Sequence, residues 1–379
     1  MIQFDKFLKE YGDVSFDDQP FCDVDAIILC NIFYNCFEQV VPDGFETRTN
    51  LPRMCYKMYA YNGYRHKGSG LILNKNISIA MMSLTACRRY KDIEVTGVRH
   101  IYEKNPATQF DAMTLILPSG QNVIIYEGTD DTLAGWKEDV DMLTKGEIPS
   151  HKLTLDYLSE AFDSLDGDFY IAGHSKGGHL ALYAGLYCTD EQRKRIIRLY
   201  NLEGPGFVNH DFLESDAYKE LLPKYVHIVP QSAMFGMLLA HDYDFKVVKS
   251  TRIFGLLQHD LATWKTNGYK IYSQNDVTNF SKIFDLVMYN VIDEAEEEHL
   301  EALDETFTAL IDASECVGLM DFAKTATKSV PRVIKAAEKL PEEQKDKLKD
   351  MFKDVGKYAE CAFRDICKNG LNPKDLILS

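Results

Sequence analysis

The chain has 379 residues, of which 45% are hydrophobic and 26% charged, so it has the composition of a globular protein with one large domain or two modest ones. Its formal net charge of −16 argues against nucleic acid as a partner, because phosphate binding needs a basic surface. No apolar run reaches the length of a membrane span and the first residues lack a hydrophobic signal core, so we expect a cytoplasmic protein without a stable membrane span.

The cysteines give no sign of a disulfide framework or a metal site. No pair has the C-x-x-C spacing that is typical of zinc ligands. We interpret them as free thiols in a reducing compartment, and we expect neither a metal nor an organic cofactor. There are nine of them, at positions 22, 30, 36, 55, 87, 188, 316, 361 and 367.

The N-terminal part of the chain predicts helices and a long irregular segment. Asp23–Phe37 is apolar on most faces and begins with acidic residues, which predicts a buried helix. Residues 41–70 carry several glycines, prolines and tyrosines and predict a loop or a lid. Ser78–Cys87 then predicts a helix, and Ile93–Tyr102 predicts a strand.

A hairpin and two helices follow. Ala112–Leu117 and Asn122–Tyr126 are separated by the turn residues Pro118–Gln121, a pattern that predicts a β-hairpin. Leu133–Leu143 and His151–Leu165 have apolar residues at helical spacing. The second of these helices leads directly into the stretch around which the chain is organised.

That stretch contains a G-x-S-x-G sequence centred on Ser175. Phe169–Ala172 predicts a short buried strand, and the residues from Lys176 onward predict a helix rich in small residues. A strand, a sharp turn and a helix form the context of a nucleophile elbow, in which a strained backbone exposes the serine oxygen. The alternative is a glycine-rich turn that contains a serine by chance.

The residues around Ser175 fit the elbow in detail. Gly173 and Gly177 flank it where a side chain would clash with the neighbouring strand and helix, and His174 occupies the variable position. The helix N-terminus directs its free N–H groups and its dipole at a developing anion.

The remainder of the chain changes character near residue 280. Strands are predicted at Ile196–Leu202, Tyr225–Val229 and Phe245–Val248, which together with the preceding elements predict a mostly parallel central sheet with helices on both faces. Residues 281–370 have helical periodicity and no strand signal. We therefore predict an α/β domain over residues 1–280 and an all-helical C-terminal extension over 281–379, which offers a surface to a protein partner.

A nucleophilic serine needs a histidine base, and in this type of fold the order along the chain is serine, acid, histidine. Of the histidines after Ser175, His259 follows the last predicted strand after a short loop, from which it can swing over the serine. We predict His259 as the base. The alternative is a polar loop residue.

The acid that orients the histidine is expected at a strand end on the same edge of the sheet as Ser175. Glu203 directly follows Ile196–Leu202 and ranks first, with Asp242 second. Asp260 is adjacent to His259, and adjacent residues rarely present their side chains to one another. The alternative for Glu203 is a turn carboxylate that caps a loop.

An oxyanion hole needs two N–H donors. One is the backbone N–H of Lys176, directly after the nucleophile, and the other is assigned to Thr129 in the loop after Asn122–Tyr126. The Thr129 hydroxyl offers a third donor. Thr129 also suits the N-cap of the helix Leu133–Leu143, and the two roles are compatible.

Three motifs together carry a family resemblance. The sequence YEGT at 126–129 precedes WKED at 136–139 and GHSKGG at 173–178. This combination resembles the class 3 (fungal-type) lipases of the α/β-hydrolase fold, which have an aromatic-Arg-Gly-Thr/Ser motif, a Trp-x-x-Asp helix and a GHSxGG elbow. GTDDT at 128–132 and QHD at 258–260 are similar to a bacterial lipase-like branch of that family. The resemblance covers about residues 20–270.

Two positions depart from the lipase pattern. Glu127 stands where these lipases usually carry Arg, which changes how the oxyanion loop is held. Gln231 and Ser232 occupy the place of the usual lipase Asp. Some other lipases place the acid one strand earlier, where Glu203 lies in this chain.

The resemblance implies a serine hydrolase that cleaves carboxylic esters, lipid esters above all, through an acyl-enzyme, with a small-molecule ester or lipid as substrate. Two alternatives remain open on the residues alone. One is a catalytically silent hydrolase-fold module that binds a partner through its C-terminal helices. The other is an acyltransferase or thioesterase that uses the same site, since pocket shape and water exclusion choose the acyl acceptor. The apolar segment 232–240 is predicted either to line an acyl pocket or to form a core helix.

Overall fold

A computed structural model describes residues 3–35, 37–64, 76–253, 255–316 and 318–369 of the chain. The end of the segment predicted as a loop or lid, residues 65–70, lies outside the described residues.

The described residues contain eleven β-strands, most of them short. All the predicted strands are present, two with the predicted bounds and the others with bounds that differ by a few residues. The strands are β1 Thr49–Asn50, β2 Glu94–Lys104, β3 Ala107–Ile116, β4 Asn122–Tyr126, β5 Phe169–His174, β6 Ile196–Leu202, β7 Tyr225–Pro230, β8 Lys246–Val248, β9 Thr266–Asn267, β10 Lys270–Ile271 and β11 Ser273–Gln274.

Nine of these strands form one mixed sheet in the order β1-β2-β3-β4-β5-β6-β7-β8-β11, and β9 pairs with β10 separately. The strands β4 to β8 are parallel to one another. The pairs β1–β2, β2–β3, β3–β4 and β8–β11 are antiparallel, so the predicted hairpin of β3 and β4 is confirmed. The parallel strands carry the elbow at their carboxyl ends.

Sixteen helices are present in the described part of the chain. They are α1 Asp5–Tyr11, α2 Asp23–Phe33, α3 Leu51–Tyr61, α4 Asn76–Leu84, α5 Arg88–Lys91, α6 Leu133–Lys145, α7 Pro149–Ser164, α8 Lys176–Tyr187, α9 Asp190–Lys194, α10 Asp216–Leu221, α11 Gly255–Gln258, α12 Asn279–Asp293, α13 Glu297–Ser314, α14 Leu319–Lys324, α15 Ala326–Glu338 and α16 Glu342–Asn369.

The two faces of the sheet are covered by different parts of the chain. The parallel strands follow one another in sequence order, so right-handed crossovers place α6 to α10 on one face. The core on that face contains Tyr126, Tyr157 and Leu180. The other face packs against the N-terminal helices, and every residue of α2 is buried. The residues of α2 are apolar on most of its faces because the sheet and neighbouring helices surround this helix.

The prediction of a loop over 41–70 is wrong for its middle part, where α3 forms. The Asn50 side chain accepts a hydrogen bond from the Arg53 N–H and caps this helix, and Pro52 lies in its first turn. The buried residues Leu51, Met54, Cys55 and Met58 share one face at helical spacing. The first turn of a helix accepts a proline such as Pro52, because a backbone N–H at that position would have no intrahelical acceptor.

The C-terminal part of the described chain is helical from α12 onward, as predicted, and α12 begins just before residue 281. It contacts the sheet-containing part mainly through α13, which packs against α6. Lys137 on α6 donates to Asp304 on α13 over 2.6 Å and to Asp141 over 2.5 Å. Among the described residues, no helix combines the length and apolar character that crossing a membrane requires.

Candidate active site at the carboxyl ends of the parallel strands

Ser175 lies between the last residue of β5 and the first residue of α8. Its backbone angles are φ 58° and ψ −130°, a conformation that residues with a side chain adopt rarely and at a cost. The Ser175 N–H donates to the Leu202 carbonyl of β6 over 3.0 Å, which ties the turn to the neighbouring strand. The side chain is partly exposed. Sheet and helix therefore hold Ser175 in the strained geometry of a sharp strand-to-helix turn.

The glycines on either side of Ser175 leave no room for a side chain. A Cβ atom at Gly173 would lie 1.9 Å from the Gly177 carbonyl oxygen, and one at Gly177 would lie 2.1 Å from the Tyr126 carbonyl oxygen. The first contact is between β5 and α8, and the second is between α8 and the end of β4. Close approach of the helix to two strands is what requires glycine at both positions.

The structure brings the predicted base and the predicted acid together. His259 Nδ1 lies 2.9 Å from Glu203 Oε2, and both side chains are buried. Glu203 directly follows β6 and has a φ of 52°, so a second strained residue lies beside Ser175. His259 follows α11, and the ring of Phe235 lies over its imidazole with the centroids 4.1 Å apart.

Burial sets the protonation of the imidazole. It lowers the pKa of His259 to about 3, so the ring is neutral near pH 7. Nδ1–H then donates to Glu203, which leaves Nε2 as the nitrogen that can accept a proton. Burial also raises the pKa of the Glu203 carboxyl well above its ordinary value, and the N–H groups of Met234 and Phe235 oppose that rise.

The loop that carries His259 is fixed by its two neighbours. The Gln258 side chain accepts from the Ser232 N–H over 2.9 Å and donates to the Arg252 carbonyl over 2.9 Å. Asp260 accepts from the Ala262 N–H over 2.9 Å. In the QHD motif the outer residues therefore hold the loop, and the central histidine is directed to Glu203.

The structure places the second-ranked acid elsewhere. Asp242 accepts a hydrogen bond from the Tyr218 hydroxyl over 2.5 Å, and its other oxygen accepts from the Asp244 N–H. His179, another histidine after Ser175, forms a buried contact with His151 over 2.7 Å between their Nε2 atoms. Of the two predicted acids, only Glu203 contacts His259 in the described part of the chain.

The loop after β4 lies against the elbow. A Cβ atom at Gly128 would lie 3.0 Å from Ser175 Cβ and 2.2 Å from the Tyr34 hydroxyl oxygen. The N–H of Lys176 belongs to the first residue of α8 and has no intrahelical acceptor. Loop and helix start thus converge on Ser175, as an oxyanion hole requires.

The Thr129 side chain has a different role from the predicted ones. Its hydroxyl donates to the Asp139 carboxylate, with 2.8 Å to each oxygen, so it is not directed at the site as a third donor. Burial raises the pKa of Asp139 to about 7. The cap of α6 is Thr132, whose hydroxyl accepts from the Gly135 N–H over 3.1 Å. Of the two Thr129 donors, only the backbone N–H remains a candidate for the oxyanion hole, beside the Lys176 N–H.

The side chain of Lys176 bonds the elbow to α6 and β3. Its Nζ donates to Glu138 Oε2 over 2.8 Å and to the backbone and side-chain oxygens of Gln109 over 2.6 and 2.7 Å. Glu138 also accepts from the Ser150 hydroxyl over 2.5 Å. Lys176 and Glu138 are at most 1% exposed, so this is a fully buried and well-satisfied ion pair. Both residues lie in sequence motifs, but the motifs indicate no role for either side chain.

Tyr34 is a further residue of the site that no sequence motif predicts. The Tyr34 hydroxyl lies 2.8 Å from His174 Nδ1, and His174 Nε2 lies 2.9 Å from the carbonyl oxygen of His259. Since a carbonyl only accepts, Nε2 carries the proton and Nδ1 accepts from Tyr34. The chain Tyr34–His174–His259 therefore connects α2, the elbow and the base loop. No local signal marks Tyr34, because its partner is 140 residues away.

The cluster of His174, Glu203 and His259 also has a spacing that a metal ion could use. Ligand atoms of His174, Glu203 and His259 lie within 4.8 Å of one another. Both ring nitrogens of His174 already take part in hydrogen bonds, and His259 Nδ1 donates to Glu203. A metal here would have to displace these bonds, so we interpret the cluster as a hydrogen-bonded network.

Apolar residues lie next to His259 in the chain. The segment 232–240 contains a short 3-10 turn at Phe235–Met237, so the prediction of a core helix there is wrong. Ile253, Leu256 and Leu257, which precede His259, are 84%, 47% and 51% exposed.

Comparison with known proteins gives one match. The sequence model of the Mbeg1-like family, a lipase-like family, matches residues 84–309, which is more than half of the chain. The matched region contains the loop after β4, the elbow, Glu203 and His259. No curated protein and no solved structure matches the chain.

Proposed function

The chain belongs to the Mbeg1-like family, and from this premise we propose that it is a serine hydrolase with the α/β-hydrolase fold that cleaves carboxylic esters, with lipid esters as the preferred class. The proposed catalytic residues are Ser175, His259 and Glu203. Thr129 and Lys176 supply the backbone N–H groups of the oxyanion hole.

The proposed reaction has two halves. The Ser175 oxygen attacks the ester carbonyl carbon while His259 Nε2 takes the hydroxyl proton, and His259 then gives that proton to the departing alcohol. A water molecule attacks the acyl-serine in the second half and returns the proton to Ser175 through His259. Glu203 holds the imidazole in the Nδ1–H tautomer and stabilises the imidazolium as it forms.

One observation carries this proposal, namely the buried hydrogen bond between His259 and Glu203 beside a serine in a strained turn. A carboxylate and a neutral imidazole are both costly to bury, and backbone strain at two adjacent strand ends adds to that cost. Such features concentrate at functional sites. A merely structural turn would need none of them.

The apolar surroundings favour an apolar acyl group. Phe235 packs against the imidazole, and the exposed residues Ile253, Leu256 and Leu257 precede His259 in the chain, the last two of them in α11. Exposed aliphatic side chains beside a reaction centre suit a hydrophobic substrate.

We further propose a cytoplasmic location, a division of the chain into residues 1–280 and 281–379, and a protein-binding role for the C-terminal helices.

The test is labelling with a fluorophosphonate, which phosphonylates only an activated serine and requires no knowledge of the substrate. We expect labelling of the wild-type protein and its loss in Ser175→Ala, with an unchanged melting temperature. Ser119→Ala, in the turn between β3 and β4, serves as the control and should label like wild type. The same proteins should then be assayed on p-nitrophenyl esters of short and medium chain length.

Either of two results would contradict an activated Ser175, and a third would contradict ester hydrolysis. Folded wild-type protein that does not label would favour a catalytically silent binding module. Labelling that persists in Ser175→Ala would place the nucleophile elsewhere. Labelling at Ser175 without ester hydrolysis in water would favour transfer to another acyl acceptor.

A further inference from the structure

One helix of the C-terminal part, α15, differs in charge from the rest of the chain. Residues 324–339 contain five basic residues and one acidic residue, whereas the whole protein has a formal net charge of −16. Four of the five basic residues lie within an arc of about 60° on one side of the helix and extend over about 16 Å. They are Lys328, Arg332 and Lys335 in the helix and Lys339 at its C-cap, and we refer to them as the basic row.

The basic row is open to solvent. The helix packs against α13, and all four residues of the row are exposed. Arg332 makes an ion pair of 2.9 Å with Glu315, but the two side chains are 44% and 65% exposed, so water and salt screen this pair. In the part of the chain that the structure describes, no carboxylate contacts Lys328, Lys335 or Lys339. The row therefore presents concentrated positive charge at the surface.

Aliphatic side chains are exposed on the same helix. Val330 and Ile334 lie one turn apart and are 38% and 54% exposed. At about 100° per residue, they follow the other side of the exposed surface of α15 from the basic row. A helix with cations along one side and exposed aliphatic residues along the other is typical of segments that lie in the interface of a membrane.

We propose that the basic row, together with Val330 and Ile334, docks the protein on the surface of an anionic lipid bilayer, with α15 lying along the headgroups. Lysine and arginine side chains on an amphipathic helix bind anionic headgroups, and the aliphatic pair then enters the boundary between headgroups and acyl chains. Such docking is peripheral and reversible, and it needs no membrane-spanning helix.

Two physical arguments select a bilayer as the occupant. A bilayer has an apolar layer directly beneath its charges, whereas a nucleic acid or an acidic protein segment has no such layer for Val330 and Ile334. The acidic remainder of the chain does not prevent docking, because salt screens charges that lie more than about 10 Å from the headgroups. Repulsion of that remainder instead orients the protein with α15 toward the membrane.

The test is co-sedimentation of the full-length protein with vesicles of phosphatidylcholine that contain phosphatidylserine, and with vesicles of phosphatidylcholine alone. The measurement is repeated with Ser175→Ala protein, in which hydrolysis cannot alter the vesicles. We expect at least tenfold stronger binding to the anionic vesicles, and loss of most of it when the salt concentration rises from about 0.1 M to about 1 M.

A variant of the basic row locates the binding surface. Exchange of Lys328, Lys335 and Lys339 for glutamine should weaken binding to the anionic vesicles by about a hundredfold. The matched control removes the same charge from three scattered exposed lysines, by exchange of Lys6, Lys152 and Lys349 for glutamine. This control should bind within a few-fold of wild type. Circular dichroism establishes that both variants are folded.

A second pair of variants tests the aliphatic contribution. Ile334→Ser should weaken binding several-fold, because it removes apolar area from the membrane contact. Ile253→Ser changes an isoleucine that is 84% exposed near the candidate active site, and it should bind like wild type. Weaker binding in Ile253→Ser with unchanged binding in Ile334→Ser would move the contact to the candidate active site and refute docking through α15.

Other results would also refute it. They are absence of binding to either kind of vesicle, equal binding to both kinds, and equal binding of the basic-row variant and its scattered control. Self-association of the protein without vesicles, if it depends on the basic row in sedimentation velocity, would assign the row to the acidic surface of a second copy. Binding is measured without turnover, so docking and the proposed ester hydrolysis stand or fall separately.

Discussion

The protein contains two histidine–carboxylate pairs of similar geometry and opposite protonation. His259 and Glu203 are 2.9 Å apart and buried, and burial lowers the pKa of His259 to about 3. His100 and Asp111 are 2.6 Å apart near the surface, where the hydrogen bond to Asp111 raises the pKa of His100 to about 9. One imidazole is neutral at pH 7 and the other is a cation.

Solvent access is the main difference between the two. The His259 side chain is 6% exposed and that of His100 is 36% exposed. Desolvation disfavours the charged imidazole at the first site, whereas water and the neighbouring carboxylate stabilise it at the second. The same two residue types therefore provide a proton acceptor in one place and a fixed charge in the other, and only the buried pair suits general base catalysis.

The largest expected effect is on catalysis at the buried pair. Glu203→Gln should lower kcat by about 10⁴, because the amide no longer stabilises the imidazolium or selects the correct tautomer. The measurement is steady-state hydrolysis of a p-nitrophenyl ester. Asp242→Asn is the matched control and should stay within a few-fold of wild type. A large loss in Asp242→Asn, with Glu203→Gln active, would reverse the assignment of the acid.

The next effect concerns stability at a buried ion pair close to the first site. Lys176→Met should lower the free energy of unfolding by about 3–5 kcal/mol, because it leaves the Glu138 carboxylate buried without its cation. Denaturant unfolding measures this. Lys152→Met breaks an exposed pair with Asp156 and should change stability little. The double variant Lys176→Met/Glu138→Gln should recover part of the loss, and equal losses in the two single lysine variants would contradict the prediction.

A smaller effect is expected where a neutral hydroxyl supports the base loop. Tyr34→Phe should cost about 1–3 kcal/mol, because buried His174 Nδ1 loses its donor. Thermal and denaturant unfolding give the stability, and the ester assay reports whether the His259 loop is displaced. Tyr61→Phe, an exposed tyrosine that donates to Gln39, is the control. A variant as stable and active as this control would show that the hydroxyl contributes nothing.

The smallest expected effect is on the pH dependence of the free energy of unfolding. Burial lowers the pKa of His227 to about 3, whereas an unfolded histidine titrates near about 6.5. The unfolded chain therefore binds the proton first, and stability falls as the pH drops from 6.5 toward 3. His227→Gln should reduce the slope of unfolding free energy between pH 6 and 4 by about 1.4 kcal/mol per pH unit.

His100 should behave with the opposite sign. Its pKa is raised in the folded protein, so its contribution to stability is present below pH 6.5 and lost as the pH rises through about 9. His100→Gln should therefore alter the pH dependence only on the alkaline side. Unfolding curves of both histidine variants across pH 4–9 check the two signs, and an acid-side effect of His100→Gln would contradict this account.

Sequence patterns predicted the sheet well because its strands are short apolar runs between clear turn residues. Ile196–Leu202 has the predicted bounds, and the hairpin at 112–126 is present. The helix Leu51–Tyr61 was missed because tyrosines and Pro52 suggested a loop, whereas Asn50 and one apolar face decide the structure. The propensities of single residues do not show that Asn50 caps a helix whose first turn accepts Pro52.

The candidate site was predictable to the extent that strand ends are predictable. Ser175 and Glu203 follow two neighbouring parallel strands, and chain order limited the choice of base to the histidines after Ser175. The supporting contacts were not predictable. Tyr34 and Glu138 contact partners that are distant in the sequence, so no sequence feature near either residue indicates these contacts.

The covering of the sheet by N-terminal helices has a practical consequence for dissecting the protein. The family match begins at residue 84, after nearly all of the helices that cover one face. A recombinant fragment limited to 84–309 would retain β2 to β8 and every proposed catalytic residue, yet it would expose side chains such as Val123, Ile125 and Ala172 to water. Such a fragment should aggregate during expression. The matched segment therefore lacks helices that bury one face of the sheet, and expression trials should begin upstream of Asp5.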